Sequence, residues 1–260
     1  MALFTTIHLH NVPDGREGDY AHWFDGAHQD ALKRLRGFAS ADRYEVTPEQ
    51  IMADIPQPWR FMSVYEFDTA EPKLDLPALG PLLAEAREAG LIDDSTQNER
   101  IHSYALYSDW VSSPNHQRDQ PLSGVSIIFA NFVAGREAEY HKWYDEVHGP
   151  EVTRTPGKVA MKRGRLSPVQ VEPVRYCPGS DLVLCAQQTD DLMFTIRDFS
   201  ARARGVSPSG IAMEPRSSAG SVARTVHYFR KISGSDFWTG GIAYDGDLSA
   251  YPADFAPPAG

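Results

Sequence analysis

The sequence is poor in cysteine and contains no long hydrophobic run. Only two of its 260 residues are cysteines, Cys177 and Cys185, which is too few for a disulfide framework. Their spacing would allow one disulfide, but two reduced thiols are the better prediction. No apolar run approaches the roughly 18 to 20 residues that a membrane-spanning helix needs. The opening stretch MALFTTIHLHNVPDG lacks the basic segment and cleavage pattern of a signal peptide. We therefore expect a cytoplasmic protein with no membrane partner.

Positive charge is also scarce, and several motifs are absent. The formal net charge is −10 and the isoelectric point is about 5.3, whereas a nucleic-acid-binding protein needs a basic face. The sequence has no glycine-rich dinucleotide or phosphate loop and no G-x-S-x-G nucleophile motif. These absences argue against nucleic acid as a partner and give no support to a nucleotide-dependent enzyme or a serine hydrolase.

What the sequence does contain is an internal repeat with an offset of 120 residues. Between residues 11–50 and 131–170, 13 of 40 positions are identical, where average composition would give roughly two or three. A period this long indicates two copies of one small domain. The identical pairs are Asn11/Asn131, Gly15/Gly135, Arg16/Arg136, Glu17/Glu137, Tyr20/Tyr140, Trp23/Trp143, Asp25/Asp145, His28/His148, Arg34/Arg154, Gly37/Gly157, Arg43/Arg163, Pro48/Pro168 and Gln50/Gln170.

Each half predicts the same series of strands and helices. The β-rich runs and amphipathic stretches alternate in the order β-α-β-β-α-β, which is the ferredoxin-like pattern. An antiparallel sheet of this kind has helices on one face only, so two copies can cover each other and form an intramolecular version of the dimeric α/β barrel. The predicted strands are 3–12, 38–47, 59–68, 100–110, 124–133, 158–167, 181–190 and 223–232, and the helices are 19–32, 79–90, 139–152 and 191–205.

The repeat also predicts the domain boundaries. Residues 1–113 form the first ferredoxin-like domain, 114–123 a polar, proline-containing linker, and 124–232 the second domain. The remaining residues, 233–260, are rich in glycine, proline and aromatic residues and contain no lysine or arginine. Such an arm is expected to pack on its own body or on a partner subunit, and a homodimer is the expected assembly.

The repeated helix carries a resemblance to a known family. Trp143-Tyr-Asp-Glu-Val-His148-Gly-Pro150 resembles the helix with tryptophan, histidine and proline of EthD-like members of the dimeric α/β-barrel superfamily. The first copy keeps Trp23 and His28 but has Asp30 at the proline position. The resemblance implies cofactor-free isomerases, cyclases, dehydratases or quinone-forming monooxygenases, and the superfamily also includes heme proteins.

The same helix supplies the candidate catalytic residues. A histidine at the edge of an apolar face can take a proton at neutral pH, since its ordinary pKa is about 6.5. A carboxylate can hold the imidazole, a tyrosine hydroxyl can donate to a developing oxyanion, and a tryptophan can form an apolar wall. The predicted catalytic residues are His28, His148, Asp25, Asp145, Tyr20 and Tyr140, and the predicted walls are Trp23 and Trp143. A purely structural role in helix packing is the competing interpretation for each.

Two strands of the first half carry further histidines. His8 and His10 share one face of the first strand, where the second half has Ile128 and Ala130. The fourth strand, predicted to lie beside the first, carries His102 and Tyr104. We predict that these four residues line a substrate cavity in the first half. Three histidines could also bind a metal, but no metal site is predicted.

These observations lead to one functional prediction and three alternatives. The prediction is a cofactor-independent lyase or isomerase that acts by histidine acid–base chemistry on a hydrophobic, carbonyl-bearing aromatic or polyketide-like molecule. The alternatives are a heme enzyme with His148 or His227 as axial ligand, a cofactor-free oxygenase, and a non-catalytic binding or assembly subunit.

Overall fold

The computed structural model describes residues 2–52, 54–93, 99–107, 111–117, 119–174, 179–206, 209–210, 213–214 and 217–234, with the backbone only for 221–224. Its strands are β1 Ala2–His10, β2 Phe38–Val46, β3 Phe61–Thr69, β4 Arg100–Leu106, β5 Val111–Ser112, β6 Gly124–Phe132, β7 Lys158–Leu166, β8 Asp181–Gln187 and β9 Gly220–Gly234. Its helices are α1 Glu17–Trp23, α2 Gln29–Leu32, α3 Pro72–Asp75, α4 Leu79–Glu88, α5 Glu137–Trp143, α6 Gly149–Thr153 and α7 Leu192–Ala203. The predicted arm lies outside the described residues beyond Gly234, and so does Cys177.

Eight of the strands form one closed antiparallel barrel. Their order is β4-β1-β3-β2-β9-β6-β8-β7, and β7 pairs back to β4. Each half contributes four neighbouring strands, and the halves join at β2–β9 and β4–β7. The short strand β5 adds a further pairing to β7. Closure pairs the outer strands of both halves, which would otherwise present open edges. The structure thus confirms that the chain has a mixed α/β fold with an antiparallel barrel, as predicted.

The two faces of the sheet pack into separate cores. Ile7 and Leu9 of β1 pack with Tyr104 of β4 in a cluster drawn only from strands and adjoining loops, which is the barrel interior. Phe4 of β1 faces the other way, into a cluster that includes residues of α1 and α4. Because side chains alternate along a strand, position on the strand decides whether a residue meets the barrel interior or the helices.

The barrel interior also contains a buried ion pair. Lys162 of β7 donates to Glu66 of β3, and each side chain is 3% exposed. Burial lowers the pKa of Lys162 to about 7, against the opposing influence of Asp42. A carboxylate partner is what a buried ammonium ordinarily requires.

The predicted glycines follow the repeated helices, in the turns that lead from Leu32 to β2 and from Thr153 to β7. Gly37 has φ 74° and Gly157 has φ 83°, a left-handed conformation that disfavours other residues. A Cβ on Gly157 would also lie 2.3 Å from Thr195 Oγ1. No helix within the described ranges is both long enough and apolar enough to cross a membrane.

Candidate active site in the second half

Each repeated helix contains a π-helical turn that ends at its histidine. The first turn, π1 Phe24–His28, joins α1 to α2, and the second, π2 Tyr144–His148, joins α5 to α6. In a regular α-helix, residues five apart point about 140° away from each other. The i→i+5 bonding of a π-turn brings them onto one side, and such turns are frequent at functional sites.

The π-turns stack each histidine on a tryptophan. The ring centroids of Trp23 and His28 are 4.2 Å apart, and those of Trp143 and His148 are 4.4 Å apart with planes at 11°. The structure therefore brings both predicted pairs together. Regular helical spacing would place the two rings on different sides of the helix.

In the first half, the histidine belongs to a filled core. His28 is 2% exposed, and its Nε2 lies 3.1 Å from the hydroxyl of Tyr65. Phe24 and Phe38 pack in the same core. Burial lowers the pKa of His28 to about 3, so the ring is neutral at physiological pH. These contacts fit a packing role for His28.

The predicted aspartates pair with arginines. Asp25 Oδ2 accepts from Arg43 Nη2 at 3.0 Å, and Asp145 Oδ1 lies 3.4 Å from Arg163 Nη1. Both arginines belong to the second strand of their half and are themselves a repeat pair. Each aspartate thus forms an ion pair between helix and sheet, in place of the predicted contact with the histidine.

The predicted tyrosines are both buried. The hydroxyl of Tyr20 lies 3.2 Å from Ser63 Oγ, and burial raises the pKa of Tyr20. The hydroxyl of Tyr140 has no hydrogen-bond partner among the described residues, and burial raises its pKa well above the ordinary value. Both tyrosines are 1% exposed, which favours packing over proton donation to a substrate.

The four polar residues on β1 and β4 do not share one face. Ile7 stands opposite His102, and His8 stands opposite Ile101. Residues directly opposite each other lie on the same face, so His102 belongs with Ile7 and faces the barrel interior. The prediction of one histidine-lined cavity is wrong because the strand register places the groups on opposite faces.

The two groups have separate surroundings. His8 and His10 stack at 4.3 Å on the helix side, and His8 Nε2 lies 2.7 Å from Glu99 Oε1. Tyr104 donates to the carbonyl of Gly179 at 3.0 Å. Burial lowers the pKa of His102 to about 3. Among the described residues, no group of three or more histidine, cysteine, aspartate or glutamate side chains could hold a metal ion.

The second half contains a cavity where the first half contains a core. Its volume is about 430 Å³, and it lies between the sheet and the helices of this half. Four of its wall residues, Trp143, Tyr144, His148 and Val152, come from the repeated helix. The others are Ile51, Ser126, Ile128, Lys158, Met161, Val183, Cys185, Phe199, Arg202, Ala203, Gly205, Met213, Glu214, Val226 and Tyr228. A mostly apolar cavity of this size with a few polar groups suits a small organic ligand.

His148 has a carboxylate neighbour that sequence reasoning missed. Its Nδ1 lies 3.8 Å from Oε2 of Glu151, and the two side chains are 16% and 2% exposed. The other oxygen of Glu151 accepts from the amide of Glu214 at 2.5 Å. Burial favours protonation of Glu151, but His148 and this amide outweigh it and keep its pKa below the ordinary value. The available signal was the spacing of three residues, which places Glu151 one turn after His148.

A buried lysine forms another part of the wall. Lys158 is 2% exposed, and its Nζ donates to Ser126 Oγ at 3.2 Å. The same nitrogen lies 4.5 Å from the ring centroid of Phe199 and 5.0 Å from that of Tyr228. Burial lowers the pKa of Lys158 to about 8; Cys185 opposes this shift and Arg202 adds to it. The sequence signal for this group was the lysine at position 158, which corresponds to Phe38 in the repeat.

The walls contain a second cation and a thiol. Arg202 donates to Thr155 Oγ1 and, at 3.4 Å, to the carbonyl of Glu151. Cys185 is a free, buried thiol, and burial raises its pKa. A thiol held in its neutral form is a poor nucleophile. The acid–base side chains among the described wall residues are His148, Lys158 and the exposed Glu214, together with the phenols of Tyr144 and Tyr228.

Comparison with known proteins supports the fold. No protein-family model and no curated protein sequence matches the chain. A candidate monooxygenase from Fusobacterium nucleatum subsp. nucleatum ATCC 25586 has a similar structure, with TM-score 0.53 and 8% identity over 94% of this chain and 98% of that one. Another from Lactobacillus acidophilus NCFM also has TM-score 0.53 and 8% identity, over 94% of this chain and 100% of that one. Both belong to the dimeric α/β-barrel superfamily, and the chain shares their fold.

Proposed function

We propose that the second half binds a small, hydrophobic, carbonyl-bearing compound and that His148 removes a proton beside the carbonyl. The observation that carries this proposal is the cavity at His148, set against the filled core at His28. A general base needs access to its substrate. Of the two repeated histidines, His148 is the one that lines the described cavity.

The surrounding groups suit proton transfer. The imidazole of His148 accepts the proton and becomes cationic, and Glu151 at 3.8 Å stabilises that cation. The stacked ring of Trp143 fixes the plane of the imidazole. The positive charges of Lys158 and Arg202 stabilise the enolate that remains. Apolar walls limit competition from water.

The enolate has two outcomes in a cofactor-independent enzyme. Reprotonation at another carbon moves the double bond, which is isomerisation. Loss of a leaving group from the neighbouring carbon is elimination, a lyase reaction. We propose this lyase or isomerase class for aromatic or polyketide-like substrates.

A cofactor-free oxygenase is a second candidate because two proteins with the same fold are named as candidate monooxygenases. The first step is the same deprotonation. Dioxygen then oxidises the carbanion, so that a methylene becomes a carbonyl and the second oxygen atom leaves as water. An oxygen electrode distinguishes this reaction from isomerisation or elimination, which consume no dioxygen.

Heme is a further alternative, and the donor set of the cavity fits it. His148 would hold the iron through its imidazole, and Lys158 and Arg202 would pair with the propionates. Heme would supply redox chemistry at iron when bound. His227 is a weaker candidate, since its Nδ1 lies 2.7 Å from Gln57 Oε1 and its ring packs against Trp59 beside the barrel core. A Soret band in the purified protein that disappears in His148→Ala would favour this alternative.

The remaining predictions concern organisation. We propose that the two halves are tandem ferredoxin-like repeats, divided near residues 114–123 and related to the EthD-like group. The proposed assembly is a cytoplasmic homodimer, which light scattering during gel filtration would test. A protein that binds ligands in the cavity and shows no turnover would support the alternative of a binding or assembly subunit.

Exchange of substrate protons in heavy water tests the catalytic proposal. With β-tetralone as the probe, proton NMR should show faster loss of the signal beside the carbonyl when the protein is present. His148→Ala and His148→Gln should each reduce the enzyme-catalysed rate by about 10²- to 10⁴-fold, while the exposed control His22→Ala should match the wild type. Wild-type rates in both His148 variants would contradict the role of His148.

A further inference from the structure

We propose that the second-half cavity selects ligands that carry a carboxylate or phenolate on an apolar body, and that the Lys158 ammonium pairs with this anion. The inference rests on the proposed function and names the substrate class for the same cavity.

The first argument is the absence of a carboxylate beside Lys158. No acidic side chain forms an ion pair with its Nζ among the described residues, although the side chain is 2% exposed. Lys162, four residues later on the same strand, is equally buried and pairs with Glu66. Because a buried ammonium is costly without an anion, the contrast indicates that the partner of Lys158 comes from a ligand.

The second argument is the incomplete set of neighbours around Lys158. An ammonium has three donors, and Ser126 Oγ accepts one at 3.2 Å. The rings of Phe199 and Tyr228 lie within cation–π range and partly offset the cost of burial. These contacts keep the charge in the cavity wall while leaving donor capacity for an anionic ligand.

The third argument is the balance of charge around the cavity. Among the described wall residues, Lys158 and Arg202 are the cations, and His148 adds positive charge when it is protonated. The described carboxylates nearby are Glu151, which already faces His148 and the amide of Glu214, the exposed Glu214 itself, and the buried Asp198, whose charge acts on Arg202. None of the three is among the influences on the pKa of Lys158. The other described wall residues are uncharged and mostly apolar, so an anionic group at Lys158 and an aromatic body against the rings would be complementary to them.

Matched anionic and neutral probes test this inference by isothermal titration calorimetry at pH 7. Naphthoate and naphthamide have similar shapes but differ in charge, and 2,4-dinitrophenolate and 2,4-dinitroanisole form the equivalent phenolate pair. The wild type should bind at least one anion about tenfold or more tighter than its neutral analogue, in line with one charge-assisted hydrogen bond. Lys158→Met should bring that ratio close to one, and the exposed Lys142→Met should keep it.

Raising the pH provides a test that needs no variant. The preference of the wild type for naphthoate should decline above pH 8, because the pKa of Lys158 is about 8 and naphthoate stays anionic throughout. Equal binding of both members of each pair, failure of both anions to bind, or a preference that survives in Lys158→Met would overturn the inference.

The inference and the catalytic proposal can fail separately. His148→Ala should retain the preference for the anion, since that preference depends on Lys158. Anion preference without proton exchange would overturn catalysis alone. Proton exchange that depends on His148, without any anion preference, would overturn the selectivity alone.

Discussion

The two halves present the same helix to different surroundings. His28 and His148 each stack on a tryptophan five residues earlier. In the first half Tyr65 lies against the histidine, and in the second half the corresponding place holds Cys185. The strand registers establish this correspondence, since Thr6 pairs with Tyr65 and Ser126 pairs with Cys185. A core therefore forms around one histidine and a cavity beside the other.

Three substitutions account for much of the difference. Along the repeat, Phe38 corresponds to Lys158, Tyr65 to Cys185 and Ala31 to Glu151. The first two replace aromatic rings with a flexible cation and a small thiol, and the third places a carboxylate beside the imidazole. Helix packing alone is enough to explain why both halves retain the tryptophan and the histidine, and the catalytic role proposed for His148 depends on the residues that differ around it. The positions where the halves diverge are better indicators of chemistry.

The largest effect should come from copying the first half into the second. Cys185→Tyr introduces the residue found at position 65 and should fill the cavity, so that naphthoate binding and β-tetralone exchange fall by about 100-fold or more. The near-isosteric control Cys185→Ser should bind and react as the wild type does. Calorimetry and proton NMR measure the two effects. Full binding in a folded Cys185→Tyr protein would show that the ligand occupies another place.

The reverse exchange should reduce stability. Tyr65→Cys removes a buried ring and the hydrogen bond to His28, and we expect the free energy of unfolding to fall by about 3 kcal/mol. Tyr65→Phe, which loses only the hydroxyl, should cost about 1 kcal/mol. Denaturant titration followed by tryptophan fluorescence measures both changes. If Tyr65→Cys lost as much exchange activity as His148→Ala, the first half would contribute to catalysis, which contradicts a purely structural role.

Lys158 should reduce stability in the unliganded protein. Its pKa falls from 10.5 to about 8 on folding, so the folded state binds fewer protons between these two pH values. Stability therefore rises with pH across this window, and the cost of burying the charge applies in full below pH 8. Lys158→Met should raise the free energy of unfolding at pH 7 by roughly 3 kcal/mol, with the difference vanishing above pH 10.5. Denaturant titrations at several pH values measure this difference. A lower free energy of unfolding in Lys158→Met than in the wild type at pH 7 would mean that the lysine stabilises the fold.

The sequence predicted the architecture better than the site. Its periodicity located eight strands and four helical regions within a few residues, but it missed the short elements α3 and β5. It did not reveal the π-turns, because regular helical spacing separates Trp143 from His148. It also grouped His102 with His8, since the register that places His102 opposite Ile7 depends on pairing between distant strands. The cavity was not predictable, because it depends on how side chains from the helices and β6 to β9 fill a shared volume.

The smallest effect is expected at Glu151, the carboxylate that is present only in the second half. Glu151→Gln keeps the shape of the side chain and its bond to the amide of Glu214 but removes the charge 3.8 Å from His148. The imidazolium formed during proton transfer would then be less stable, and the exchange rate should fall by about tenfold. Glu146→Gln is the matched control, since that side chain is 63% exposed and pairs with Lys142. Equal rates in both variants would mean that the imidazole needs no anionic neighbour. The halves would then differ only in whether a substrate can reach the histidine, which it can at His148 and cannot at His28.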